Sequence, residues 1–191
     1  KVTFANEIGL LCNMLNVDSH KVMEIFCKDT VLNLSANYLM PGFAFGGSCL
    51  PKDVKAITYF AKHRDLDLPV LNSILQSNNV MVEFALKKIM DAGHQRIGFL
   101  GMAFKSGTDD LRNSPLITLI ERLLGKGFDI RIYDHHVNLA RLRGANKQFI
   151  EEKIPHISRL MTKSLDEIVD FADVIVIGNK NEEFTHIFPN L

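Results

Sequence analysis

The sequence predicts an α + α/β chain: an all-helical first part followed by a parallel sheet packed with helices. Three observations carry this reading. Up to about residue 92, apolar side chains recur at three- and four-residue steps, the helical period. The pattern changes once, after Gly93. Beyond it, short apolar runs alternate with helical segments, the order that builds a parallel sheet covered by helices. The chain therefore divides into residues 1–92 and 93–191.

From Val2 to about Asn16, Phe4, Ile8, Leu11 and Leu15 mark a first helix, and Asp18 or Ser19 caps a second that carries Val22, Ile25 and Phe26. Residues 30 to 50 hold Asn33, Asn37, Pro41, Gly42, Gly46 and Gly47, with Phe43 and Phe45 as apolar weight, and read as a loop with structure of its own. Pro51 suits the first position of a third helix running through Val54, Ile57 and Phe60 to about Lys62. After Pro69 the longest seam follows, through Leu71, Leu75, Asn78, Val82, Ala85 and Ile89, until Gly93 ends it. With one polar position, such a seam suits either a core helix or a helix that pairs subunits or links domains. Arg96 to Leu100, Phe128 to Tyr133 and Val174 to Ile177 read as strands, with helices at Ser114 to Gly125 and Ser164 to Phe171.

The composition excludes several classes. With 22 basic and 22 acidic residues the formal charge is zero, so the dense positive field used by nucleic-acid and membrane-surface proteins is missing. The longest apolar run is far shorter than the ~20 residues of a bilayer span. Three cysteines without a CxxC pair fit a reducing compartment, and the chain reads as cytoplasmic. It opens at Lys1, without a methionine and already in a helical pattern, which suggests a piece of something longer. The scattered histidines propose no metal site, since neighbours such as His135 and His136 diverge after a strand.

Two stretches could carry chemistry. In Gly42-Phe43-Ala44-Phe45-Gly46-Gly47-Ser48-Cys49-Leu50-Pro51-Lys52-Asp53, Cys49 falls just before a helix start. The partial positive charge of that helix end, with Lys52 beside it, favours the thiolate. Asp53 stands one turn further on, within reach of the thiol or of a water attacking its adduct. The alternative is a buried structural thiol. In Phe104-Lys105-Ser106-Gly107-Thr108-Asp109-Asp110-Leu111-Arg112, two cations and several donors lie beyond a strand's carboxyl end and suit a phosphate ester or pyrophosphate, against the alternative of solvated charges on a surface loop. Asp134 closes the second strand where a ribose-binding acid would sit, but Gly98, Gly101 and Gly107 do not spell GxGxxG.

The cysteine segment resembles the active-site segment of the nucleotide-sugar 6-dehydrogenases, which oxidise UDP-glucose, UDP-N-acetylmannosamine or GDP-mannose to the uronic acid with two NAD. The loop ending at Arg112 is similar to that family's nucleotide-sugar loop. The stretches Lys1–Gly9, Gly144–Lys147 and Lys153–Ser158 look most like the GDP-mannose branch, which serves alginate synthesis. The resemblance covers essentially the whole chain. It implies a helical dimerisation domain followed by a Rossmann-like nucleotide-sugar-binding domain cut short after Leu191, with the NAD-binding Rossmann domain absent and the piece inactive by itself.

By the same resemblance, Cys49 captures the aldehyde as a thiohemiacetal whose oxidation gives a thioester, and Asp53 assists the water or the proton transfers. Lys52 and Arg112 approach the cofactor. Asn6, Tyr38, Phe43, Gly46 and Lys105 hold the nucleotide sugar, and the central helices pair two subunits, with higher oligomers open. Met40 and Asn37 stand where the GDP-mannose branch carries a basic and an aromatic residue, which keeps UDP-glucose and UDP-N-acetylmannosamine in play. A non-catalytic dimerisation and nucleotide-binding module is the reading from a different class.

Overall fold

The computed structural model describes residues 1–33, 35–103, 107–137, 142–179 and 181–185. It divides the chain into two compact units, Lys1–Phe45 with Asp53–Glu83, and Gly46–Lys52 with Phe84–Leu191.

The first unit is built from α1 (Val2–Met14), α2 (Ser19–Phe26) and the greater parts of α3 (Leu50–Lys62) and α4 (Pro69–Asp91). The first helix stops two residues short of its sequence reading, because Leu15 caps it and Asn16 turns to φ +54°. Asp18 caps α2 as expected, its carboxylate accepting from the amides of His20 and Lys21 at 3.0 and 3.2 Å. Ala5, Met23 and Leu39 form a small core with Ile8 and Cys27 packed on it. On α3, Pro51, Val54, Thr58 and Ala61 are buried or half-buried at helical spacing, while Ile57, Tyr59 and Phe60 are exposed. The third helix begins at Leu50, one residue before Pro51, and α4 ends two residues before Gly93, whose φ of +73° suits its place after a helix.

The second unit contains the predicted sheet. Strands β1 (Arg96–Leu100), β2 (Asp129–Tyr133) and β3 (Val174–Ile177) are all parallel, in the order β2-β1-β3, with Ile97 opposite Ile130 and Val174, and Phe99 opposite Ile132 and Val176. Helix α5 (Pro115–Gly125) connects β1 to β2; α6 (Gly144–Lys153), a 3-10 turn (Ile157–Arg159) and α7 (Asp166–Phe171) connect β2 to β3; α8 (Glu182–Thr185) follows.

Strand alternation sorts the faces. Leu100 and Tyr133 pack with Ile168 of α7 and with Phe184. Ile97, Phe99, Ile130 and Ile132 point the other way and are also buried. The β1-to-β2 and β2-to-β3 connections run in opposite directions across the sheet, so the right-handed rule puts α5 on the face opposite α7, and α5 buries Pro115, Leu116, Ile117, Leu119, Ile120 and Leu123. Each such aliphatic side chain contributes roughly 1.5–3 kcal/mol on burial, which is why this half of the sequence reads so plainly. The strand order reverses at the carboxyl end of β1, the place where open α/β sheets bind ligands.

Helix α6 and the short α8 differ from the sequence reading, which had no element in either place. In α6 only Ile150 is fully buried, so its ten residues carry no apolar period.

Candidate functional site

The cysteine segment is pinned residue by residue. In the first unit, the buried Asn6 of α1 accepts from the Gly42 amide at 2.8 Å and donates its Nδ2 to the Phe43 carbonyl at 3.0 Å. Asn78 of α4 accepts from the Phe45 amide at 2.8 Å and donates to the Phe45 carbonyl at 2.9 Å. In the second unit, Gly46 is buried so closely that a Cβ would lie 2.6 Å from the Pro115 ring and closer still to the Asn113 carbonyl. Gly47 follows at φ +85°, a conformation that favours glycine, and its carbonyl accepts from Asn113 Nδ2 at 3.3 Å. The two glycines before the cysteine are thus required by space and by backbone.

Cys49 comes next and is exposed, in contrast to the buried Cys12 and half-buried Cys27. It does not have the burial that the structural-thiol alternative expects. Its Sγ lies 3.8 Å from Ser48 Oγ. It immediately precedes α3, whose first turn contains Lys52 and Asp53, both exposed. The helix dipole favours an anion at that end, the carboxylate of Asp53 included.

Arg112 is held by its neighbour. Its Nε and Nη2 donate to the two carboxylate oxygens of Asp110 at 2.9 and 2.8 Å, and its own amide donates to Asp110 Oδ1 at 3.0 Å. The guanidinium keeps the Asp110 carboxyl below its usual range, and the carboxylate raises the arginine, to which a charge interaction with Cys49 adds. Through Asn113, which follows Arg112 and donates to the Gly47 carbonyl, the arginine loop adjoins the cysteine segment within the second unit.

Asn146 of α6 clamps the same loop: the Leu111 amide donates to its Oδ1 at 2.8 Å and its Nδ2 donates to the Asp109 carbonyl at 2.7 Å. Asp109, Asp110, Arg112, Arg143, Ala145 and Asn146 line an open cleft of about 370 Å³.

Asp134 has a different task from that of a ribose acid. Buried after β2, its carboxylate accepts from the amides of Met102, Ala103 and His136 at 2.8, 3.3 and 3.0 Å. The buried Ser114 hydroxyl donates to the Met102 carbonyl at 2.8 Å, fixing the same turn from the start of α5. The Met102 and Ala103 amides, turned onto Asp134, are not aimed at a phosphate. Among the described residues of the turn after β1, these two amides are thus taken up by Asp134.

Of the remaining expected site residues, Tyr38 sits exposed in a loop at φ +65° and Phe43 is half-buried. Lys105 lies outside the described residues. Within the second unit the structure brings Gly46 and Gly47 against Asn113, next to Arg112; Asn6 and Phe43 come together within the first. Sequence reasoning missed Asn113, Asn146 and the clamp role of Asn78. For Asn78 a signal existed, since it is the lone polar residue in the long apolar seam; for Asn146 on a polar helix there was none.

Comparison with known proteins agrees with this organisation. Residues 1–80 match the central domain of the UDP-glucose/GDP-mannose dehydrogenase family, and residues 98–190 match that family's UDP binding domain. The chain is 52% identical over 184 residues to a GDP-mannose 6-dehydrogenase of Pseudomonas putida, covering 96% of this chain and 42% of that protein. It is 30% identical to a UDP-glucose 6-dehydrogenase of Rickettsia bellii, covering 96% and 41%. A crystal structure of a GDP-mannose dehydrogenase ternary complex from Pseudomonas aeruginosa superposes with TM-score 0.75 at 50% identity, covering 99% of this chain and 43% of that one. A UDP-glucose dehydrogenase from Pyrobaculum islandicum gives TM-score 0.80 at 25% identity, covering 96% and 40%. The chain thus spans about two fifths of the length of the relatives it matches. With two domains of one family matched in order over most of its length, the chain belongs to the UDP-glucose/GDP-mannose dehydrogenase family.

Proposed function

We propose that this chain is the central and sugar-nucleotide-binding portion of an NAD-dependent nucleotide-sugar 6-dehydrogenase that converts GDP-mannose to GDP-mannuronate, with Cys49 as nucleophile. The observation that carries the reading is the exposed Cys49 just before α3, on a backbone that Gly46 and Gly47 hold against Asn113, the residue after Arg112. A thiol meant for packing is buried; one presented beside a helix start and a cation is placed to attack.

Two NAD molecules, bound in turn, would each supply the acceptor for one of the two hydrides. Cys49 adds through its sulfur to the aldehyde carbon after the first oxidation, giving a thiohemiacetal. Loss of the second hydride leaves a thioester, and a water adds to it, expelling the thiolate and releasing the carboxylate. Asp53, one turn along α3, receives a proton from that water. Arg112, oriented by Asp110, and Lys52 supply positive charge for the phosphates of cofactor or substrate. By the family resemblance, Tyr38, Phe43, Gly46 and Lys105 are each read as sugar-nucleotide contacts, and Asn6 as holding the loop that carries Phe43. The half-identical GDP-mannose 6-dehydrogenases favour that substrate over UDP-glucose or UDP-N-acetylmannosamine.

The domain division near residue 93 and pairing of two copies belong to the same reading. Phe4 and Leu11 of α1 and its cap Leu15 fall at helical spacing, all exposed, and Phe26 of α2 places its ring 5.5 Å from that of Phe4. Such an apolar stripe suits a second copy. Among the described residues no helix is long and apolar enough to cross a membrane, and three free cysteines fit the reducing cytoplasm. Taken alone, the chain is expected to bind sugar nucleotide without turning over, as a module does.

The test is Cys49→Ala in the full-length enzyme. It should form no uronate while still binding GDP-mannose within a few-fold of wild type. Full uronate production by that variant contradicts the assignment.

A further inference from the structure

Gly42–Phe45 belongs to no helix or strand, and among the described residues no loop backbone–backbone hydrogen bond involves it. Gly42 is exposed but Phe43–Phe45 are buried or half-buried, and backbone withdrawn from water needs partners. Here they come from two side-chain amides. Asn78 meets both the N–H and the C=O of Phe45, and Asn6 meets the N–H of Gly42 and the C=O of Phe43. Each amide thus imitates a neighbouring strand, and four backbone groups within four residues are fixed from α1 and α4.

We infer that Asn78 and Asn6 are positioning residues that preset the Gly42–Phe45 backbone, and with it Phe43, for the sugar nucleotide. The inference rests on the proposed substrate reading for its functional part, not for the clamp itself. Asn6 then acts on the ligand through the loop. The chemistry selects asparagine over aspartate: a carboxylate accepts from the Phe45 amide but repels the Phe45 carbonyl, whereas a neutral carboxylic acid accepts and donates as the amide does.

The test compares wild type, Asn78→Ala and Asn78→Asp as the 191-residue chain, reading the protection factor of the Phe45 amide by hydrogen exchange and GDP-mannose affinity by calorimetry, from pH 8 down to pH 4.5. Asn78 is half-buried and alanine favours helices, so both variants keep α4. At pH 8 both should lose about tenfold in Phe45 protection and in affinity, the effect of about one net hydrogen bond. As pH falls, Asn78→Asp should recover toward wild type while Asn78→Ala stays flat, a profile that mere filling of space does not produce. Unchanged Phe45 protection in Asn78→Ala, or a flat profile in Asn78→Asp, overturns the clamp. Equal affinity in all three chains overturns the positioning role and leaves the substrate reading intact. Loss and pH recovery of Phe45 protection in a chain that binds no sugar nucleotide supports the clamp and removes the substrate reading.

Discussion

Cys49 is exposed, Cys27 half-buried and Cys12 buried, so alkylation should follow that order. Iodoacetamide followed by peptide mass spectrometry should find Cys49 modified first and Cys12 last; equal rates at all three would remove the case for a presented nucleophile. Asp110 provides a pH prediction. Arg112 lowers its pKa below the ordinary 3.8, so the ion pair's stabilising effect is complete above that ordinary value and is lost as pH falls through the lowered one. The Arg112 amide signal should therefore be steady from pH 8 to 5 and move only below about pH 4; movement between 5 and 8 would point to another group. At this scale the sequence showed the cysteine, its glycines and its helix start, because spacing alone carries them. It could not show what Asn78 or Asp134 touch: Asn78 was visible only as a polar residue in an apolar seam, and Asp134 only as an acid ending a strand.

Among elements, those that bury a whole face were legible and those that bury little were not. Strand β1 is covered on both sides and α5 buries six side chains, so their patterns stand out. Helix α6 buries only Ile150 and left no period to read, yet it delivers Asn146 to the Arg112 loop. The energetics should follow the same division. Ile117→Ala, at a fully buried site on α5, should cost about 2–5 kcal/mol. Val169→Ala, 42% exposed on α7, should stay within about 0.5 kcal/mol. Urea unfolding measures both, and comparable losses would contradict the packing described for the two faces of the sheet.

For the molecule as a whole, a net charge of zero is compatible with the proposed polyanionic ligand, because a few placed cations can recognise it without a dense positive field. On the proposed reading the sugar nucleotide binds at the carboxyl end of the sheet while NAD is held mainly outside this chain, and the Met102 and Ala103 amides after β1 are taken up by Asp134. That division of labour is the central claim, and calorimetric titration of the 191-residue chain with GDP-mannose, UDP-glucose and NAD tests it most directly. Saturable binding of sugar nucleotide, tighter for GDP-mannose than for UDP-glucose and without tight NAD binding, is the predicted result; tight NAD binding, or no binding of either sugar nucleotide, would contradict it.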